Sequence, residues 1–136
     1  MRHSLRQPSL SRVAFLAITV AAIFNLVSQV AYAQTVQQAE AIMKSMLVAT
    51  QANSLTDFVA LGDQSVKSAM TQQILDNMNQ LLGPRLKQGY TVVAMGTLKK
   101  EGALVYLWKL EFKDDGDDVL VTMAMKDGKI AGFYLR

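Results

Sequence analysis

The sequence contains no cysteine and a single histidine, His3. The first absence excludes disulfides, thiol nucleophiles, iron–sulfur clusters, thiolate zinc sites and lipid attachment through an N-terminal cysteine. The second leaves every residue after the third without an imidazole. Ser-His-Asp triads, His-ligated metals and imidazole bases are excluded there as well. No apolar run reaches the ~20 residues that a membrane-spanning helix needs. The surplus of positive charge is only nominal. Of the 14 Lys and Arg residues, Arg2, Arg6 and Arg12 precede one apolar block, and the remaining eleven balance 11 Asp and Glu. A polybasic nucleic-acid surface is therefore not expected.

What is present begins with a targeting pattern. The three arginines are followed by Val13 to Phe24, in which Thr19 is the only polar residue. Asn25 and Gln29 interrupt any extension, and Ala31-Tyr32-Ala33 supplies small residues at a cleavage position before Gln34. This is the layout of a Sec-type secretory signal, with an uncleaved anchor as the competing reading. The expectation is a signal peptide over residues 1–33 and one domain over 34–136. The protein is then exported, periplasmic or secreted, with no stable membrane span after cleavage. Cleavage there removes 33 of the 136 residues and leaves 103, a length that buries one core without covalent staples.

Val36, Ala39, Met43, Met46, Leu47 and Thr50 recur at helical spacing, which predicts an amphipathic helix from Thr35 to Gln51. Ser54 offers an N-cap to a short second helix with Asp57 at its third position, and Gly62 is expected to close it in a left-handed conformation. Asp63 to Met70 reads as a connector with helical tendency around Val66. Thr71 caps a further helix whose expected core face is Ile74, Leu75, Met78, Leu81 and Leu82, ended by Gly83-Pro84, with Arg85 to Gly89 open to adding a further turn. From Tyr90 the period becomes two. Val92, Ala94, Gly96 and Leu98 oppose Thr91, Val93, Met95 and Thr97. Lys99 to Gly102 reads as a turn. Leu104, Tyr106, Trp108, Leu110 and Phe112 then share one face of a strong strand. Asp114 to Asp118 is a polar reversal, Val119 to Met125 a third strand, Asp127-Gly128 a type I′ hairpin turn, and Ile130 to Leu135 the last strand. Helices first and strands after predict an α+β domain with a segregated four-stranded antiparallel sheet.

Several stretches sharpen this reading: Asp57-Phe58-Val59-Ala60, Pro84 to Tyr90, Leu107-Trp108-Lys109-Leu110, Gly116-Asp117-Asp118 and Lys126 to Phe133. Over residues 40–136 the chain resembles small exported bacterial domains of the cystatin-like or nuclear-transport-factor-2-like superfamily. The resemblance implies N-terminal helices packed on a curved antiparallel meander, a cone. That superfamily holds isomerases, dehydratases, ligand-binding domains and dimerisation modules, so it implies a fold and not an activity.

The isomerases of the superfamily pair a pocket carboxylate with a tyrosine or second acid. Here Asp57, Asp63 and Asp76 stand near helices and Tyr90, Tyr106 and Tyr134 on strands, at no telling spacing, so no catalytic residue is assigned. The Asp114-Asp115-Gly116-Asp117-Asp118 cluster lacks the alternation and the terminal Glu of a calcium loop, and Lys113, Lys126 and Lys129 are expected to offset its charge. Met43-x-x-Met46 and Met123-x-Met125 suit either thioether ligation of Cu(I) or core filling, and their shared faces favour the core. No metal site and no cofactor are expected. Trp108 is expected to be the packing centre and the Tyr106/Trp108 stripe to be core, with a small apolar cavity at the cone's mouth as the competing reading. The reading is an exported, non-enzymatic binding or interaction domain. Its partner is a small apolar ligand or a second copy docked through the sheet. The alternatives are an isomerase- or dehydratase-like enzyme with a pocket carboxylate, and a structural accessory module of an envelope assembly.

Overall fold

The structure is a computed structural model that describes residues 35–136. The expected signal peptide lies outside the described residues. Residues Gln38–Arg136 form one compact unit. The chain is helical over residues 35–52 (α1), then forms α2 (Leu55–Ala60), α3 (Gln64–Ala69) and α4 (Gln72–Gln88). Four strands follow: β1 (Tyr90–Lys100), β2 (Ala103–Phe112), β3 (Val119–Lys126) and β4 (Lys129–Leu135). They pair antiparallel in the order β1-β2-β3-β4, an open sheet with the helices packed against it. The fold is α+β.

Local chemistry sets the helix starts. The side chains of Ser54, Asp63 and Thr71 accept the backbone N–H groups of Asp57, Val66 and Ile74, each satisfying a donor that the first turn leaves open. The stretch after Asp63 is thus a helix in its own right. Gly62 plays a different part from the one expected. It does not adopt a positive φ, and Leu61 caps α2 in the helical region. Its backbone lies beside Ile130, where the Ile130 N–H donates to Leu61 O (2.9 Å) and the Asp63 N–H donates to Ile130 O (2.8 Å). A Cβ at position 62 would sit 2.7 Å from Val66 Cγ1, so glycine is needed there for close approach.

Helix α4 does not stop at Gly83-Pro84. It continues through Pro84 to Gln88 and ends at Gly89, whose φ is 102°. The buried residues are Leu75, Leu82, Gly83 and Leu86, while Ile74 and Leu81 of the expected core face are exposed. Pro84 stands on the exposed side, so its missing N–H weakens the ladder where water replaces the bond. Gly83 makes room for Asn79, whose Nδ2 would lie 2.9 Å from an added Cβ. That amide donates to Thr50 O and Gln51 O, tying α4 to the last turn of α1.

Two tight turns set the register. Glu101-Gly102 and Asp127-Gly128 have positive φ at both positions (53° and 78°, 50° and 74°), as type I′ hairpins require. The first is shorter than expected, because Lys99 and Lys100 already pair with Leu104 and Ala103. A bulge between Ala94 and Gly96 also exchanges the faces of β1: Val92 and Ala94 share the helix side with Thr97, whereas Gly96 and Leu98 turn outward. On the helix side, Trp108, Leu110, Val121, Met123 and Ile130 are fully buried against the face of α1 carrying Met43, Met46 and Leu47 and of α4 carrying Leu75. The buried Thr50 hydroxyl is satisfied by Met46 O at 2.9 Å.

Candidate functional site

The carboxylates do not converge. None of the 11 acidic residues is buried. Asp57 accepts from the Ser54 hydroxyl at 2.7 Å. Hydrogen bonds from Ser65 and from the Val66 N–H hold Asp63 below the ordinary carboxylate range, and the amides of Gln72 and Asn53 do the same for Asp76. Burial pushes the Tyr90 phenol up. No aspartate is brought against Tyr90 or Tyr134 by any hydrogen bond among the described residues.

The acidic reversal is neutralised from an unexpected direction. Arg85, on the part of α4 beyond Pro84, donates to both oxygens of Asp114 (2.6 and 3.0 Å) and to Asp117 O (2.8 Å). Its guanidinium also lies 4.0 Å above the Phe112 ring. Asp114 is lowered first by Arg85 and then by the Gly116 N–H. Lys109 bridges Glu111 (2.6 Å) and Asp118 (3.4 Å). Lys113, Lys126 and Lys129 make no ion pair with the cluster. The loop is a latch between α4 and the sheet. Among the described residues no group of His, Cys, Asp and Glu is arranged around a metal. Met43, Met46 and Met123 are core residues, and Met125 is half-buried.

Tyr106 and Trp108 stack at 5.6 Å between ring centroids and 11° between planes, both buried. Met43, Met46 and Leu75 are buried as they are, and neither ring lines the depression along β4 or the one on the outer face of the sheet. Two depressions occur elsewhere. One, of about 440 Å³, runs along β4 between α3 and α4 and is mainly apolar, lined by Val66, Met70, Ile74, Met78 and Phe133 with Ser65 and Tyr134. Phe133 closes one end by meeting Phe58 edge-on at 5.8 Å.

The other depression, of about 570 Å³, lies on the sheet face away from the helices. The pairing builds it. Leu98, Val105, Ala124 and Gly132 form one row across the four strands, and Gly96, Leu107, Thr122 and Tyr134 form the next. Val105 and Leu107 on β2 with Thr122 and Ala124 on β3 make a floor, and Leu98 on β1 and Tyr134 on β4 make the walls. A Cβ at Gly132 would lie 3.0 Å from the Tyr134 ring, so the glycine lets that ring lean back along its strand. At one end, Lys100 lies opposite Ala103 and Lys126 opposite Lys129. Lys100 and Lys126 border the trough together with Glu101, and Arg136 borders it elsewhere. The reading of the linear sequence missed this site. Its only signal was the apolar content of the second face of β2, at Val105 and Leu107.

Comparison of the chain with protein-family models, with curated proteins and with solved structures finds no match.

Proposed function

We propose that the protein is an exported, non-enzymatic binding domain of the cystatin-like or nuclear-transport-factor-2-like superfamily, and that it holds a small apolar ligand on the outer face of its sheet. One observation carries this: that face has an apolar floor of Val105, Leu107 and Ala124 with charged residues at its margins, forms a trough of about 570 Å³, and is covered by no other element among the described residues. Single small molecules are held in depressions of ~300–1,000 Å³ lined mostly by apolar groups. The enzyme reading has less support. A general base working near neutrality needs a carboxylate raised by an apolar enclosure, whereas Asp63, Asp76 and Asp114 are all lowered. Export rests on the arginines, apolar block and Ala-x-Ala site of residues 1–33.

A solvatochromic apolar dye titrated into the purified protein tests the reading. The expected result is saturable binding that Ala124→Trp, which fills the floor, reduces at least tenfold while the circular-dichroism spectrum is unchanged. Equal dye binding by parent and variant overturns the assignment of the trough.

A further inference from the structure

We infer that the ligand of the outer-face trough is an anionic amphiphile, one aliphatic chain ending in a carboxylate, with its head group at the lysine end. This rests on the preceding reading of the trough as the binding surface. Lys126 and Lys129 stand directly opposite each other on adjacent strands, and Lys100 lies in the same end of the sheet. Like charges in directly paired positions work against the sheet. Nothing among the described residues relieves them by an ion pair within 4.0 Å, and neither Glu101 nor Asp127 in the adjoining turns closes one. Lys129 does act at longer range on Asp63, which leaves Lys100 and Lys126, the two at the trough, unmatched.

The opposite end of the sheet shows the contrast. There Lys109 is bridged to two acids and Arg85 grips Asp114. Lys109 and Arg85 are thus neutralised where the sheet meets the acidic loop, although Lys113 and Arg136 at that end make no ion pair among the described residues, while Lys100 and Lys126 are left open at the trough. Lys100 and Lys126 also flank Ala103, whose small side chain leaves space between two ammonium groups for an anionic head. From Ala103 to Leu107 the floor runs about 13 Å along β2 at the ordinary rise of a strand. That floor presents Val105, Leu107 and Ala124 to a chain lying along it. The lysine pair at one end and the apolar floor beyond it, with Arg136 at the far margin held over the Tyr134 ring, match a single amphiphile more closely than a bilayer, which would need a flat face and not a walled one.

Isothermal titration of the purified protein with decanoate, with decan-1-ol and with phosphatidylglycerol vesicles tests the inference. The expected result is one decanoate per chain, bound at least tenfold more tightly than decanol. Raised salt and the Lys100→Gln/Lys126→Gln double variant should both weaken decanoate at least tenfold, with thermal unfolding of the variant as cooperative as the parent's. Equal binding of decanol and decanoate, both lost in Ala124→Trp, overturns the anion inference while the trough reading stands. Binding of neither ligand overturns both. Vesicle binding without decanoate binding overturns the single-molecule ligand in favour of a membrane surface. A dimer in sedimentation that dissociates in the double variant overturns it in favour of a second copy.

Discussion

The two faces of the sheet are made by the same four strands, residue by alternate residue, and they have different fates. On the helix side, Trp108, Leu110, Val121, Met123 and Ile130 are at most 1% exposed. On the far side, Leu98, Leu120 and Tyr134 are 44%, 38% and 54% exposed, while Leu107 and Ala124 between them are half-buried and Val105 is buried. A face that is only solvated has no use for such residues. The difference separates apolar surface that holds the fold from apolar surface that is kept available. Truncation distinguishes the two. Trp108→Ala removes a fully buried aromatic and should cost ~3–5 kcal/mol, a large share of the ~5–15 kcal/mol that stabilises such a domain. Leu98→Ala on the open face should cost less than about 1 kcal/mol. Urea melts followed by circular dichroism measure both, and similar losses would mean that the open face is structural after all.

The next largest effect lies where the helices meet the sheet edge. Gly62→Ala places a methyl group 2.7 Å from Val66 Cγ1, between α3 and the start of β4. Overpacking of this kind costs ~1–3 kcal/mol. Gly128→Ala meets no atom within 4 Å and is strained only by its φ of 74°. Its cost should be nearer ~1 kcal/mol. Thermal melts of the two variants should therefore rank Gly62→Ala below Gly128→Ala. The reverse order would mean that the α3–β4 contact yields easily.

How much of this was readable from the chain follows the same division. The helix side of β2 was legible because strict alternation from Leu104 to Phe112 is a local signal. The helix caps at Ser54 and Thr71 and the Asp127-Gly128 turn were legible for the same reason. The continuation of α4 was not, since Gly83-Pro84 is locally a stop and only the seat of Asn79 on the carbonyls of Thr50 and Gln51 explains the glycine. With Arg85 to Gly89 read as at most a further turn after the stop, Arg85 could not be oriented on the helix, and its latch to Asp114 was invisible. The outer trough was beyond local reading because it exists only in register. The bulge between Ala94 and Gly96 moves Leu98 outward, and the two-residue turn at Glu101-Gly102 sets Lys100 opposite Ala103. Reading Lys99 to Gly102 as a longer turn hid both.

Both ends of the sheet carry carboxyl groups that make the fold sensitive to acid. Arg85 and the Gly116 N–H hold Asp114 below the usual carboxylate range, and Asp63 and Asp76 are lowered by their own hydrogen bonds. A carboxyl group whose folded pKa is depressed adds stability above its unfolded pKa and loses it as pH falls through the folded value. The urea midpoint should therefore be flat from neutrality to about pH 4 and fall below that. Asp114→Asn should lower the neutral midpoint and shrink the drop. A variant whose acid drop equals the parent's would show that the latch contributes nothing to the pH dependence.

The smallest effect is the most specific to the lysine end. Lys126→Gln removes one member of the cross-strand pair with Lys129 and one of the two cations at the trough. If the repulsion is unrelieved, the substitution should raise stability by a few tenths of a kcal/mol at low salt, since directly opposed like charges cost about that much on a solvated face. The gain should vanish at high salt, where the Debye length falls to about 3 Å at 1 M. Decanoate affinity should fall in the same protein, so stability and binding move in opposite directions, as expected where charge is kept for a ligand at the fold's expense. Chemical melts at two ionic strengths beside a decanoate titration measure the pair of effects. A Lys126→Gln protein less stable than the parent would mean that Lys126 supports the hairpin, and the contrast between the neutralised and the open end of the sheet would then lose its functional meaning.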